Sequence, residues 1–286
     1  MRSDTSTVTG RQARASERRP LVAVAAVAAV LMMGAAFLSP GPLNGAGLVP
    51  TVKAAIAAPV AGSAVATPSV EATPSADATP LVVVIDAGHQ AHANLHLEPI
   101  GPGSTTKKYK VAGGTTGRVT HVHESLINLR VALRLRTVLR AAGVTVIMIR
   151  TTQNVNIPNS KRAQIANAAH ADLTVRIHCD GTARSIHGIL TLVPKRNRWT
   201  GPIVVSSLRA GRAIQSALLL ATGASDRGIT PRGDMSGFNW SGVPSVIVEM
   251  GNMKNAKEDR LLSTVAYERK LAYGIAQGVL AYAAAR

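Results

Sequence analysis

Four side chains able to do metal and proton chemistry fall where strand or helix ends are expected: His89, Glu124, His178 and Glu249. Two neutral imidazoles and one carboxylate make a three-ligand zinc set that leaves a fourth position for water. Zinc lowers the pKa of such a water to about 7. A further carboxylate, close by but off the metal, can then take its proton and pass it to a leaving nitrogen. On this reading His89, Glu124 and His178 are candidate Zn2+ ligands for one ion, and Glu249 is the candidate acid-base group. His121 and His123 lie within three residues of Glu124 and could be proposed as ligands instead. His92, His96, His170 and His187 read as surface or loop residues.

Those positions need elements to hold them. Leu81 to Asp86 is a continuous apolar, largely β-branched run ending at Ala87-Gly88, the pattern of a strand buried on both faces. From Glu124 to Ala142 apolar residues recur at helical spacing with arginines between them, and Gly143 supplies the stop. Strands are expected at Val144 to Ile149, Leu173 to His178, Ile189 to Val193 and Ser245 to Glu249. Helices are expected near Ser160 to His170, at Pro202 to Ala221 and at Tyr267 to Ala284. This alternation predicts a single α/β domain of three layers, with a largely parallel central sheet and helices on both faces. The stretch from Gln90 to Val122 lacks helical periodicity and reads as a long loop next to the ligand-binding end of the sheet. Its Lys107, Lys108 and Lys110 could meet an anionic substrate or simply be solvated.

The chain has 286 residues with 32 Lys or Arg, 15 Asp or Glu and one Cys, for a formal charge of +17. A disulfide-stapled miniprotein, a collagen-like fibre and a wholly disordered chain are thereby excluded. Residues 1–20 are a basic segment, and 21–39 carry an uncharged apolar run flanked by Arg18-Arg19 and Pro40. The 18 residues of Leu21 to Leu38 favour a signal-anchor over a cleaved signal peptide, with Ala55-Ile56-Ala57 as the nearest small-residue cleavage site. Residues 40–80 read as an Ala-, Pro- and Thr-rich spacer, and 81–286 as the folded domain. Six basic and four acidic residues before position 81 leave the tail at +2 and the domain at +15 of the total. Such an excess favours nucleic acid, acidic membrane lipids or the phosphate- and carboxylate-bearing polymers of a cell wall without choosing among them, and export argues against nucleic acid. Cys179 has no partner for an internal disulfide and reads as a small buried side chain.

The chain resembles the zinc-dependent N-acetylmuramoyl-L-alanine amidases of the type 3 family, cell-wall hydrolases. The resemblance rests on Val84 to His89, the Glu124 helix through Arg150-Thr151, Ala163 to His178, and Pro244 to Asn255, in that order. It implies that His89, Glu124 and His178 bind zinc and that Glu249 is the catalytic carboxylate. It further implies exported, cell-envelope action on peptidoglycan, at the amide between N-acetylmuramic acid and the L-alanine of the stem peptide. Cys179-Asp180-Gly181 departs from the family's small residue followed by Asn. Arg162 matches a recurrent family arginine, as a salt-bridge or a substrate residue, and Gly233 to Trp240 either contacts substrate or pins a loop to the core. Two other functions share the same residues: a zinc peptidase acting within the stem peptide, and a non-catalytic wall-binding module.

Overall fold

The computed structural model describes residues 80–286. The expected basic segment, apolar run and all but the last residue of the expected spacer lie outside the described residues. A six-stranded sheet is ordered β4-β1-β5-β8-β6-β7, from β1 (Val82–Ala87), β4 (Thr145–Met148), β5 (Leu173–Asp180), β6 (Ile189–Pro194), β7 (Asp226–Arg232) and β8 (Ser245–Asn252). Strands β4, β1, β5 and β8 run parallel. Only the β8-β6 step is antiparallel, with β6 and β7 parallel to each other. The helices are α1 (Glu124–Ala141), α2 (Asn159–Ala168), α3 (Val204–Thr222), α4 (Ser236–Asn239), α5 (Ala256–Leu262) and α6 (Val265–Ala284).

The two faces of the sheet are unequal, and strand alternation decides what each receives. Val83 and Ile85 of β1, Val175 and Ile177 of β5, and Val246 and Val248 of β8 join the main core with buried residues of α1, α3 and α6. Val84 on the other face packs with Ala166 of α2, while Ile247 packs with Leu192 and with Phe238 of α4. Two short helices cannot cover a six-stranded sheet. The thinly covered face is where the polar members of the alternation emerge: Asp86, Arg176, His178 and Glu249. The span Gly201–Thr222, which includes α3, has the length and hydropathy of a membrane crossing, but its Ala210, Ile214 and Leu218 are buried in the main core.

The expected loop between Gln90 and Val122 is in part a hairpin. Strands β2 (Asn94–Pro99) and β3 (Lys107–Val111) pair antiparallel, with Leu97 opposite Tyr109. The segment holds no helix, as its lack of periodicity required, yet the Gly101-Pro102-Gly103 turn between two short extended runs is a hairpin signal. Both tryptophans of the chain fasten it: Trp240 Nε1 donates to the Pro99 carbonyl at 2.9 Å and Trp199 Nε1 to that of Pro102 at 2.9 Å. Glu98, 5% exposed, accepts from the Ser160 backbone and hydroxyl. The Gly233 to Trp240 stretch thus pins structure through Trp240 and buried Phe238, and it also lines the cavity described next.

Candidate active site

His89 follows β1, Glu124 opens α1, and His178 lies near the end of β5. Their ligating atoms all lie within 4.8 Å of one another. Glu124 Oε1 is 3.1 Å from His89 Nε2 and 3.2 Å from His178 Nδ1. The imidazoles meet edge to face with centroids 4.8 Å apart. Parallel register sets Glu249 of β8 directly beside His178. All four positions expected from the sequence to carry the chemistry therefore stand at one end of the sheet. His121 and His123 are not in the cluster. His123 precedes α1, with its ring nitrogen 3.3 Å from the Thr116 hydroxyl.

Backbone and buried arginines hold this arrangement. His89 has a left-handed φ of 59°, an uncommon conformation for a non-glycine residue, and its Nδ1 donates to the Ala112 carbonyl at 2.8 Å. That bond fixes the tautomer and turns Nε2 towards Glu124. Glycine is required on both sides of the cluster: a Cβ on Gly88 would lie 2.3 Å from the His178 ring, and one on Gly114 2.9 Å from Glu124 Oε2. Arg162 donates through Nη1 to Asp86 Oδ1 at 2.6 Å and through Nη2 to the His89 carbonyl at 3.0 Å. Arg150 donates to the carbonyls of Ala87, Gly88 and Ser125. Arg162 is 2% exposed, so of the two readings of this arginine the salt-bridge one holds.

The electrostatics sort the four groups. Burial pushes the Glu124 carboxyl up, but hydrogen bonds from His178 and His89 outweigh it and hold the group well below its ordinary value. The Thr115 and Cys179 backbone amides also donate to it. Burial dominates at His178 and lowers its pKa, favouring the neutral imidazole that a metal needs. At His89 burial also opposes protonation, but Glu124 outweighs it and raises the pKa. Glu249 is raised well above the usual carboxylate range, first by burial and then by the charge of Glu124. Cys179 is buried and its thiol is pushed up by burial and by nearby carboxylates, which suits an inert packing residue.

The donor set fits a metal ion. Two imidazoles and a carboxylate converge, and His178 Nε2 and Glu249 Oε2 are both buried without any hydrogen-bond partner. Buried polar atoms of this kind call for a ligand. His89, His178 and Glu249 open onto a cavity of about 640 Å³ that runs under the hairpin, between Leu97 and Tyr109 on one side and Asp234 to Gly237 on the other. Lys107 and Lys108, and Asp234 of the Gly233 to Trp240 stretch, which the sequence offered as substrate contacts, line this cavity, whereas Arg176 and Asn159 were not singled out as parts of a site. The one signal for Arg176 was its position two residues before His178.

Sequence and fold both match known proteins. The family profile described as N-acetylmuramoyl-L-alanine amidase matches residues 83–281. N-acetylmuramoyl-L-alanine amidase Rv3717 of Mycobacterium tuberculosis is 30% identical over 241 residues, covering 82% of this chain and 96% of the relative. The Escherichia coli amidase AmiA is 26% identical over 240 residues, covering 70% of this chain and 75% of the relative. Among solved structures, the amidase Ami1 of Mycobacterium smegmatis superposes with a TM-score of 0.65 at 27% identity, over 72% of this chain and 98% of that one. Ami1 of Mycobacterium abscessus gives 0.64 at 29%, over 71% and 98%. With the profile spanning most of the chain and the fold shared throughout the described domain, this protein is an enzyme of the N-acetylmuramoyl-L-alanine amidase family.

Proposed function

We propose that the protein hydrolyses the amide between N-acetylmuramic acid and the L-alanine of the stem peptide in peptidoglycan, with zinc as its metal. The observation that carries this reading is the convergence of His89, Glu124 and His178, with unpartnered Glu249 beside them, next to a cavity of about 640 Å³. His89, Glu124 and His178 would hold the ion. When bound, zinc supplies Lewis acidity that polarises the scissile carbonyl and makes water a nucleophile near neutral pH. Glu249 accepts the proton of the attacking water at a carboxylate oxygen and returns it to the leaving nitrogen, which departs as the free amine of L-alanine. Its raised pKa suits both halves of that task. Asn128 Nδ2 and the Cys179 amide hold Glu124 Oε1 in place, and the Ala112 carbonyl holds the His89 ring. The apolar Leu97, Val111 and Ile247 in the wall exclude bulk water from the peptide side.

Action on the wall belongs with export, and residues 21–39 serve as the export segment under this proposal, with the spacer letting the domain reach the wall while the anchor is uncut. The zinc peptidase reading differs in the bond cut, and the wall-binding reading in that nothing is cut. Digestion of purified peptidoglycan with mass analysis of the products separates all three. The amidase releases peptides that begin with a free L-alanine amine and leaves a lactyl carboxylate on the glycan. A new amine elsewhere in the stem would mark a peptidase, and zinc-loaded protein that binds wall without releasing peptide would mark the binding module.

A further inference from the structure

The cavity extends past the chemistry to a second tier of the sheet, and one buried group there has no role so far. Arg176 lies two residues before His178 on β5, about 7 Å along the strand at 3.2 to 3.4 Å per residue. It shares the thinly covered face with His178, lines the cavity and is 5% exposed. Its Nε donates to Asp86 Oδ2 at 2.8 Å and its Nη2 to Asn159 Oδ1 at 2.8 Å. Nη1 lies against Gly237, where an added Cβ would overlap it at 1.4 Å, and no hydrogen bond of the described residues uses it. Asp86 is the one carboxylate paired with this guanidinium, and it is shared with Arg162. One buried positive charge is therefore left over. Asp234 in the same cavity does not balance it, being already paired with Lys108 and Arg232.

We propose that Arg176 is a specificity-determining residue, receiving the free α-carboxylate of the second residue of the peptide, the one attached to L-alanine. The inference rests on the amidase reading and adds the class of peptide accepted. Two physical arguments fix the partner. A guanidinium with one free end, held rigid at the other by Asp86 and Asn159, is preorganised for a carboxylate. The glycan continues in both directions from each cleavage point, whereas the peptide ends in one direction and can run along the cavity from Glu249 to Arg176. A carboxylate on the residue after L-alanine lies five bonds from the cleaved nitrogen, about 6 to 7 Å when extended, which matches the distance between the two tiers. Lys107 in the cavity wall adds positive charge of the same sense.

Two muramyl dipeptides test this, one with a free α-carboxylate on the second residue (D-isoglutamate) and one with the corresponding amide (D-isoglutamine). The protein should cleave the acid with kcat/KM about tenfold or more above the amide, since the amide leaves a charged buried donor poorly matched. Arg176→Gln should bring that ratio close to one, and Arg176→Lys, which keeps the charge but not the fork, should fall between. A ratio within twofold in the unaltered protein, or an equal loss on both substrates in Arg176→Gln, overturns the proposal. Calorimetry with L-alanyl-D-isoglutamate and L-alanyl-D-isoglutamine on the zinc-loaded protein gives the same comparison without cleavage. If neither muramyl dipeptide is cut but the acid binds about tenfold more tightly, the amidase reading fails and the role of Arg176 stands; equal affinities overturn it.

Discussion

Arg162 and Asp86 form an ion pair of 2.6 Å in which each side chain is 1% exposed, and it connects the second helix to the strand that delivers His89. The pair is flanked by Arg176 on the other carboxylate oxygen at 2.8 Å. Removing Arg162 takes the buried donor from Asp86 Oδ1 and from the carbonyls of Ala87 and His89, and buried acceptors left unpaired are costly. Arg162→Met should destabilise the domain by about 3 kcal/mol, read as a lower midpoint in denaturant, and should weaken metal binding because the His89 carbonyl loses its donor.

The same carboxylate predicts a pH dependence of stability. Burial alone would raise the Asp86 pKa, but the charges of Arg162 and Arg176 outweigh burial and hold it well below its ordinary value. A depressed folded-state pKa contributes stability that is present above the unfolded value of about 3.9 and is lost as pH falls through the folded one. Thermal unfolding should therefore lose stability as pH drops below about 4. In Asp86→Asn that slope should be shallower, and the whole curve lower at neutral pH.

Glu249 is expected to act in turnover and not in holding the ion. Glu249→Gln should bind zinc with the affinity of the unaltered protein and lose about 10²- to 10⁴-fold in kcat, whereas His178→Ala should lose both metal and turnover. Zinc content by elemental analysis beside peptide-release assays checks the pair. Retained turnover in Glu249→Gln would remove it from the proton-transfer role.

A base whose pKa is raised by burial and by Glu124 is charged only above the usual carboxylate range. In the metal-free protein the Glu249 carboxyl, followed by carbon-13 NMR, should therefore titrate above pH 4.5, the ordinary glutamate value. Arg227 lowers the Glu249 pKa through its charge, so Arg227→Gln should move that titration to higher pH.

Much of the fold was legible because burial on both faces of the sheet writes long apolar runs: β1, β5 and β8 and the helices α1, α3 and α6 lie within a few residues of their expected bounds. The meeting of His89, Glu124 and His178 beside Glu249 was legible because His89, His178 and Glu249 follow or end such runs and Glu124 starts a helix. The hairpin was not, because β2 and β3 carry Leu95, Leu97 and Tyr109 largely exposed among polar residues, which writes no buried-strand pattern. Its position depends on Trp199 and Trp240 reaching back about a hundred residues or more to Pro102 and Pro99, contacts that no local pattern encodes. The placement of Arg176 was hidden for the same reason, since its partners Asp86, Asn159 and Gly237 come from three separate segments.

The fastening of the hairpin is itself testable. Trp240→Phe keeps most of the ring but removes the 2.9 Å bond to the Pro99 carbonyl. Loss of one such bond costs about 1 kcal/mol, so global stability should change little while amide exchange across residues 94–111 speeds up. Unchanged exchange there would show that Trp199, Glu98 and the Lys108–Asp234 pair suffice to hold it.

The proposed hydrolysis of the amide between L-alanine and muramic acid, by three metal ligands and one unpartnered carboxylate, can be read from the products themselves. Zinc-loaded protein incubated with purified peptidoglycan should give, by mass spectrometry of each new terminus, peptides starting at L-alanine together with intact, peptide-free glycan, and none after chelation until zinc is restored. New termini inside the stem, or release that persists without metal, would overturn the proposal.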